Sequence, residues 1–454
     1  MSDCGSRLSR GILCVIATLL GAFIASADES LMISMYTIVG SDLRQLQEAP
    51  WLLISYNLGY SIALPIYCEV DSPDHSDVAH RRQIALFRSF VTVITTIGRS
   101  GGPPLGAWLS DVIGWRWSFL SQCPVSLCCA LLIAFSLPAD LSNNDVPDQE
   151  RKSGFEAIRQ IDFAGIFSFI VAVSTFVLFV DLGGDRLAWT HPGIISLAAI
   201  CVSFIITFVL VERFWATNPL TPLSLLKPTS GGGFCAIQIF VFVARFAMIT
   251  NLTPFYIYTK GASNTMAAVY MVPSSVGAAT GGLASGIAFT RFHRYRRPSF
   301  ICTVVAIVGY ALVAIRWRNG LENAAELLYI FVGGAAFGWT LSAQFVGMSR
   351  FTPRRHAAEG ITAYYLSQQL GSILGTNLST KLLRNLFRRG LRGALPQEEG
   401  GSDRDAMIED IIRDSRFYQW LPQSTRAVVR REYLAAFQSV PRESLRFLLA
   451  GLRR

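Results

Sequence analysis

The apolar residues of this chain fall in long, nearly uninterrupted blocks, and that pattern decides what it can fold into. "GILCVIATLLGAFIASA" (11–27), "LAAICVSFIITFVLV" (197–211) and "LLYIFVGGAAFGW" (327–339) show neither the alternation of a half-buried strand nor the one-sided spacing of a soluble helix. About 20 mostly apolar residues are needed for a helix to cross about 30 Å of hydrocarbon. Blocks of about this kind lie near 11–38, 51–68, 84–109, 116–137, 162–181, 193–211, 233–257, 265–290, 299–315, 326–348 and 361–380, about eleven spans in all. Of the 454 residues 51% are hydrophobic and 16% charged, with a mean hydropathy of +0.39, so an all-α polytopic membrane protein is expected.

Orientation follows from the basic residues. With Arg7 and Arg10 cytoplasmic, the same side receives Arg81, Arg82, Arg151, Lys152, Arg159, Arg213, Lys227, "RFHRYRR" (291–297) and "SRFTPRRH" (349–356). The inner loops then hold about sixteen Lys/Arg against about six outside, the bias of cytoplasmic loops. The net charge of +9 therefore reports topology; cations scattered between spans do not form a nucleic-acid surface.

Several local signals carry less. "ASA" before Asp28 imitates a signal-peptidase site, but the number of later spans favours an uncleaved first helix. The nine cysteines lie mostly within spans or at their ends and show no CxxC, which reads as packing. The sequons "NLT" (251) and "NLS" (377) fall inside spans. All five histidines, at 75, 80, 191, 293 and 356, fall in expected loops, which argues against an intramembrane metal enzyme, and there is no GxxxxGK[ST]. Neither an enzyme nor a cofactor is called for; transport of a small molecule driven by an ion gradient fits many spans with scattered polar residues at depth.

One span is unusual. "TTIGRSGGPPLGAWL" (95–109) sets four glycines, two prolines and an arginine in an otherwise apolar run. Glycines make a smooth face for a close neighbour, and prolines remove amide donors and bend the helix. Gly98, Gly102, Pro103 and Gly106 spell G-x-x-x-G-P-x-x-G, which resembles the antiporter motif on the fifth helix of proton-coupled transporters of the major facilitator superfamily. "ADESLMISMYTIVGSDL" (27–43) is similar to the first-helix motif of the fourteen-span drug:H+ antiporter branch, with Asp28 followed by Ser30 and Thr37 where that branch usually has proline. "SYNLGYSIALPIY" (55–67), "GWRWSFL" (114–120) and the pair of spans at 162–211 followed by "NPLTPLSLLK" resemble the second helix, the turn into the sixth and the two additional central helices of that branch. Within it the chain looks closest to fungal efflux and vacuolar basic-amino-acid transporters.

The resemblance implies a major facilitator fold, two helical bundles around a central cavity, that exchanges protons for drugs, toxins or basic amino acids by alternating access. It implies a monomer in the plasma or vacuolar membrane, meeting small-molecule substrate, protons and lipid. The segments expected are an N-terminal bundle (1–137), a cytoplasmic loop (138–161), the additional pair (162–211), a cytoplasmic linker (212–232), a C-terminal bundle (233–386) and an arginine-rich amphipathic tail (387–454).

Two departures stand against it. Where the branch carries G-[KR]-x-x-D-x-x-G-[RK]-[RK] after its second helix, this chain has Cys68 and Glu69 and then passes to what resembles the family's fourth-to-fifth loop. The third and fourth helices are thus expected to be missing, roughly 60 residues or two spans with their loops. After 387 the family's last span is also expected to be absent, since Arg442, Glu443 and Arg446 interrupt 444–452 and its approach. The tail would then lie outside the cytoplasm or along a membrane surface. Both losses favour a second reading, a relative that does not transport.

The candidate site residues are the polar ones at membrane depth. Asp28 and Glu29 are placed to bind and release a proton, because withdrawal from water favours the protonated carboxyl. Arg99 and Arg245 need a partner or a watery cavity, and Asn57, Gln238, Asn251, Gln344, Gln368 and Gln369 could line one or bond between helices.

Overall fold

The computed structural model describes residues 2–70, 81–136, 162–183, 187–215, 232–292, 296–320, 323–352, 357–395, 402–413 and 417–452. All eleven expected spans are helical. The first half holds α1 (Ser2–Asp42), α2 (Pro50–Val70), α3 (Arg81–Ile113), α4 (Trp115–Leu120) and α5 (Gln122–Ser136). A helical pair follows, α6 (Phe163–Leu182) and α7 (Pro192–Phe214). The second half holds α8 (Gly232–Lys260), α9 (Asn264–Val269), α10 (Val272–Phe292), α11 (Arg296–Arg316), α12 (Leu327–Phe351) and α13 (Ala357–Ala394). It ends with α14 (Ser402–Arg413), α15 (Phe417–Trp420), α16 (Gln423–Phe437) and α17 (Ser439–Leu452). Among the described residues the only bridge of β type is the isolated pair Gly183–Leu187.

Boundaries differ from expectation where local chemistry intervenes. The span expected at 116–137 is two helices broken at Ser121, and a separate turn precedes it at Gly114, whose φ of 84° suits a residue without a Cβ. The span at 265–290 is also divided, at Tyr270 and Met271. The last expected span continues past 380 to Ala394, into a basic stretch. Five described helices are long and apolar enough to cross a membrane on composition: 19–42, α6, α7, α8 and 327–348. The others are shorter or are interrupted by glycine, proline or charge.

Capping explains the α6–α7 pair. The Asp162 carboxylate accepts from the Gly165 amide at 2.8 Å, and His191 Nδ1 accepts from the Gly193 amide at 3.1 Å with Pro192 opening α7. α7 leaves Ile195, Ile200, Val202, Ile205, Ile206 and Leu210 exposed, the surface of a helix facing lipid rather than water.

The remaining helices form two bundles with a repeated plan. In the first, α1 packs along α3 and α5; in the second, α8 packs along α13 and α17. The bundles exchange contacts reciprocally, α2 lying on α13 and α10 on α3. Gly277 and Gly281 of α10 meet Gly334 and Gly338 of α12 so closely that a Cβ at any of them would strike the backbone opposite.

The tail is not a free amphipathic segment. It joins the second bundle, whose α8 and α11 take α17 between them. The Ser444 hydroxyl donates to the Ala244 carbonyl at 3.0 Å, and Phe447 packs on Phe240 with ring centroids 6.5 Å apart. Phe437 lies 4.3 Å from Phe255 and Tyr433 4.7 Å from Tyr258, centroid to centroid. The expectation of a tail lying apart failed because hydropathy registers the exposed Arg442 and Arg446 and misses the buried face of Val440, Ser444 and Leu448. At about 1.5 Å per residue α17 spans about 21 Å, too short to cross alone.

Among the described residues, the buried members of the main core from the first half are Ile33, Tyr36, Ala49 and Leu53, and α8 and the tail supply many more. Phe437→Ala should therefore cost about 3–5 kcal/mol and lower the melting temperature of the detergent-solubilised chain. Leu449→Ala, at a tail side chain 47% exposed, should leave it nearly unchanged. Equal small effects at both positions would mean that the tail is not packed as described.

Candidate functional site

The glycine face of α3 fixes the site. A Cβ at Gly98 would approach the Phe23 carbonyl to 2.6 Å, one at Gly102 would run into Ser30 Oγ and the Ala27 carbonyl, and one at Gly106 would strike Leu31. All three motif glycines thus face α1 between Phe23 and Leu31, the turns that carry Asp28 and Glu29. The Ser34 hydroxyl donates to the Pro103 carbonyl at 3.2 Å, using an acceptor at the proline-bent stretch of α3. The Ser30 hydroxyl donates back within α1, to the Ser26 carbonyl at 2.9 Å.

This packing brings Arg99 to Glu29. Arg99 Nη2 lies 3.0 Å from Glu29 Oε2, with 51% and 32% of the two side chains accessible. Arg99 stands mid-way along α3 and also lies within electrostatic reach of Tyr60 on α2 and Tyr365 on α13. The pair therefore ties α1 to the middle of α3. Asp28 has other neighbours, Gln122 of α5 and Tyr56 of α2. Two adjacent acids thus have different settings, one beside a cation and one beside neutral groups.

Other expected site residues lie elsewhere. Arg245 is 5% exposed inside the second bundle, donating to Ser274 Oγ at 2.7 Å. Asn251 is a tie between helices, donating to the Ala247 carbonyl at 2.8 Å and to Ser379 Oγ at 2.9 Å. Asn57 donates to the Leu53 carbonyl of its own helix at 2.7 Å. Gln238 donates to Tyr364 Oη at 3.1 Å, Gln368 sits beside the same tyrosine, and Gln344 is buried on α12. These glutamines form a cluster of the second bundle, separate from Asp28. The histidines at 75, 80, 293 and 356 and the basic residues 151, 152, 159 and 227 lie outside the described residues.

Sequence reasoning passed over Tyr56, Tyr60, Gln122 and Tyr365, ordinary polar residues until the fold gathers them. It also passed over a junction at the α1–α2 end. Lys381 donates to the Val180 carbonyl and to those of Asp181 and Gly183, both at 2.8 Å, capping the C-terminus of α6. Arg384 donates to the Gln47 carbonyl at 2.8 Å and pairs with Asp181 at 3.4 Å, and Trp51 Nε1 donates to Asp181 at 3.4 Å. At the same end the Tyr36 hydroxyl donates to the Thr250 carbonyl at 2.5 Å and Thr265 to Asp111. These ties join the bundles at that end.

The Major Facilitator Superfamily model matches residues 76–376. This chain belongs to that superfamily. It is similar to the vacuolar membrane amino acid uptake transporter fnx2 of Schizosaccharomyces pombe, 22% identical over 91% of this chain and 78% of the relative. The multidrug resistance protein fnx1 of the same yeast is 23% identical over 92% and 87%. Vacuolar basic amino acid transporter 2 of Saccharomyces cerevisiae is 23% identical over 72% and 70%. A bacterial homologue of the human lysosomal transporter Spinster, solved inward-facing and unoccupied, aligns with 99% of this chain and 96% of its own at 14% identity and a TM-score of 0.43, too loose a likeness to place any site. The chain is a membrane transporter fold of the superfamily and not an enzyme fold.

The glycine face yields a direct contrast for this superfamily member. Gly102→Leu should separate α3 from α1, at about 1–3 kcal/mol for an overpacked contact, and abolish transport. Gly286, which has open space where its Cβ would go, should accept leucine with normal abundance and flux. Comparable loss in both variants, measured in proteoliposomes at matched protein, would contradict the close α1–α3 packing.

Proposed function

We propose that this chain exchanges protons for small organic molecules by alternating access, with Asp28 as the coupling carboxylate. The supporting observation is the unequal setting of the two adjacent acids. Glu29 pairs with Arg99 at 3.0 Å, while the neighbours of Asp28 are the neutral Gln122 and Tyr56. Protonating Asp28 changes what its carboxyl offers these neighbours on α5 and α2, so proton occupancy and helix packing are linked. With two carboxylates against one guanidinium, the site favours a cationic substrate that competes with the proton.

That chemistry suits cationic members of both classes named among the relatives, drugs and amino acids, and the vacuolar relatives support the second in a vacuolar membrane. The unit is read as a monomer with a cytoplasmic N-terminus. Asp28→Asn should abolish uptake driven by a pH gradient into proteoliposomes, tested with arginine and with a cationic dye, while exchange of substrate for substrate at uniform pH persists. Unchanged gradient-driven uptake would remove Asp28 from the mechanism.

A second reading, a relative that does not transport, is supported by the departure from the family's loop pattern at Cys68 and Glu69. It predicts no flux in the parent chain with any substrate in either assay.

A further inference from the structure

The second bundle contains a buried cation that the proposed coupling does not use. Arg245 lies near the middle of α8, which runs from Gly232 to Lys260, and is 5% exposed. Its guanidinium donates to the Ser274 hydroxyl of α10 at 2.7 Å and stands 5.2 Å from the centre of the Phe337 ring of α12. Both partners are neutral. Among the described residues no carboxylate pairs with it, although a guanidinium offers five donors and stays charged. Burying such a group without a counter-charge costs several kcal/mol.

A hollow adjoins it. About 20 Å³, room for a single water-sized guest, is lined by Arg245, Thr303, Tyr310, Thr340, Phe337 and Leu448, with smaller apolar residues between them. Two threonine hydroxyls and one phenol therefore share this space with the guanidinium, and the rest of the wall is apolar. Leu448 belongs to α17, so the tail helix forms one side.

We propose that this hollow binds a small monovalent inorganic anion of the halide class. The anion accepts from Arg245, and from the Thr340 hydroxyl once this turns from the Ala336 carbonyl to which it donates at 2.8 Å, and supplies the charge that the fold leaves out. Water would satisfy donors but not the charge. A multiply charged anion would exceed the single guanidinium in an otherwise apolar wall. The site lies on the far side of α8 from α13 and is independent of whether Asp28 couples transport to protons.

The test uses the full chain purified in detergent, with sodium chloride exchanged for sodium gluconate at constant ionic strength. Chloride should raise the melting temperature saturably, by roughly 2–4 °C at saturation, and gluconate, too large for the hollow, should not. The shift should vanish in Arg245→Met, weaken in Thr340→Val and persist in Arg99→Met, which removes the cation of the other site. Should Arg245→Met fail to fold, binding of radiolabelled chloride to the parent chain, displaced by bromide and not by gluconate, decides the matter. Equal melting temperatures in both salts with no displaceable chloride would overturn the proposal, as would a chloride shift that survives in Arg245→Met.

Discussion

The close approach of α3 to α1 is the contact on which the rest of the site depends. Three glycines at a four-residue spacing remove the side chains that would hold the helices apart, and what remains is backbone against backbone. Only at that separation does the Arg99 guanidinium, carried between Gly98 and Gly102, reach Glu29. In the low-dielectric interior a lone arginine on α3 would be costly. The glycines therefore serve electrostatics as well as packing, and the hydroxyls of Ser30 and Ser34 fit the same seam.

The two bundles differ in how they are held. The second has an aromatic core in which Phe255, Trp317 and Phe437 stack, with α17 filling the groove between α8 and α11. The first leans on α1 and on its contacts across the interface. Lys381 and Arg384 fasten the additional pair and the α1–α2 turn at one end. An alternating-access cycle must release that junction, since it spans α13, α6 and the α1–α2 turn at once.

Much of this was legible in the residues. Apolar block length gave every span as a helix, because in a bilayer each backbone donor must be satisfied within its own segment. The G-x-x-x-G-P-x-x-G spacing marked a face for close packing, and of the polar residues singled out at membrane depth Glu29 and Arg99 lie together. What failed was the tail, where arginines on the exposed face of α17 masked a buried stripe that only a partner helix reveals. Gly277 and Gly281 on α10 and Gly334 and Gly338 on α12 form a close crossing of the second bundle. Polar partners such as Gln122 and Tyr365 carry no local signal, because their place depends on helices far apart in the chain. Arg245 was expected to need a partner or a cavity; it has Ser274 as partner and lines a hollow inside its own bundle.

The measurement that bears most directly on this account is a charge exchange between α1 and α3. Glu29→Arg and Arg99→Glu each place two like charges at the seam, and their combination restores an opposite pair in reversed order. With flux per folded protein measured in proteoliposomes, each single variant should lose transport and the double variant should recover a substantial part of it. Single variants as active as the parent, or a double variant no better than either single, would contradict the claim that the glycine-set approach of α3 to α1 exists to join this pair.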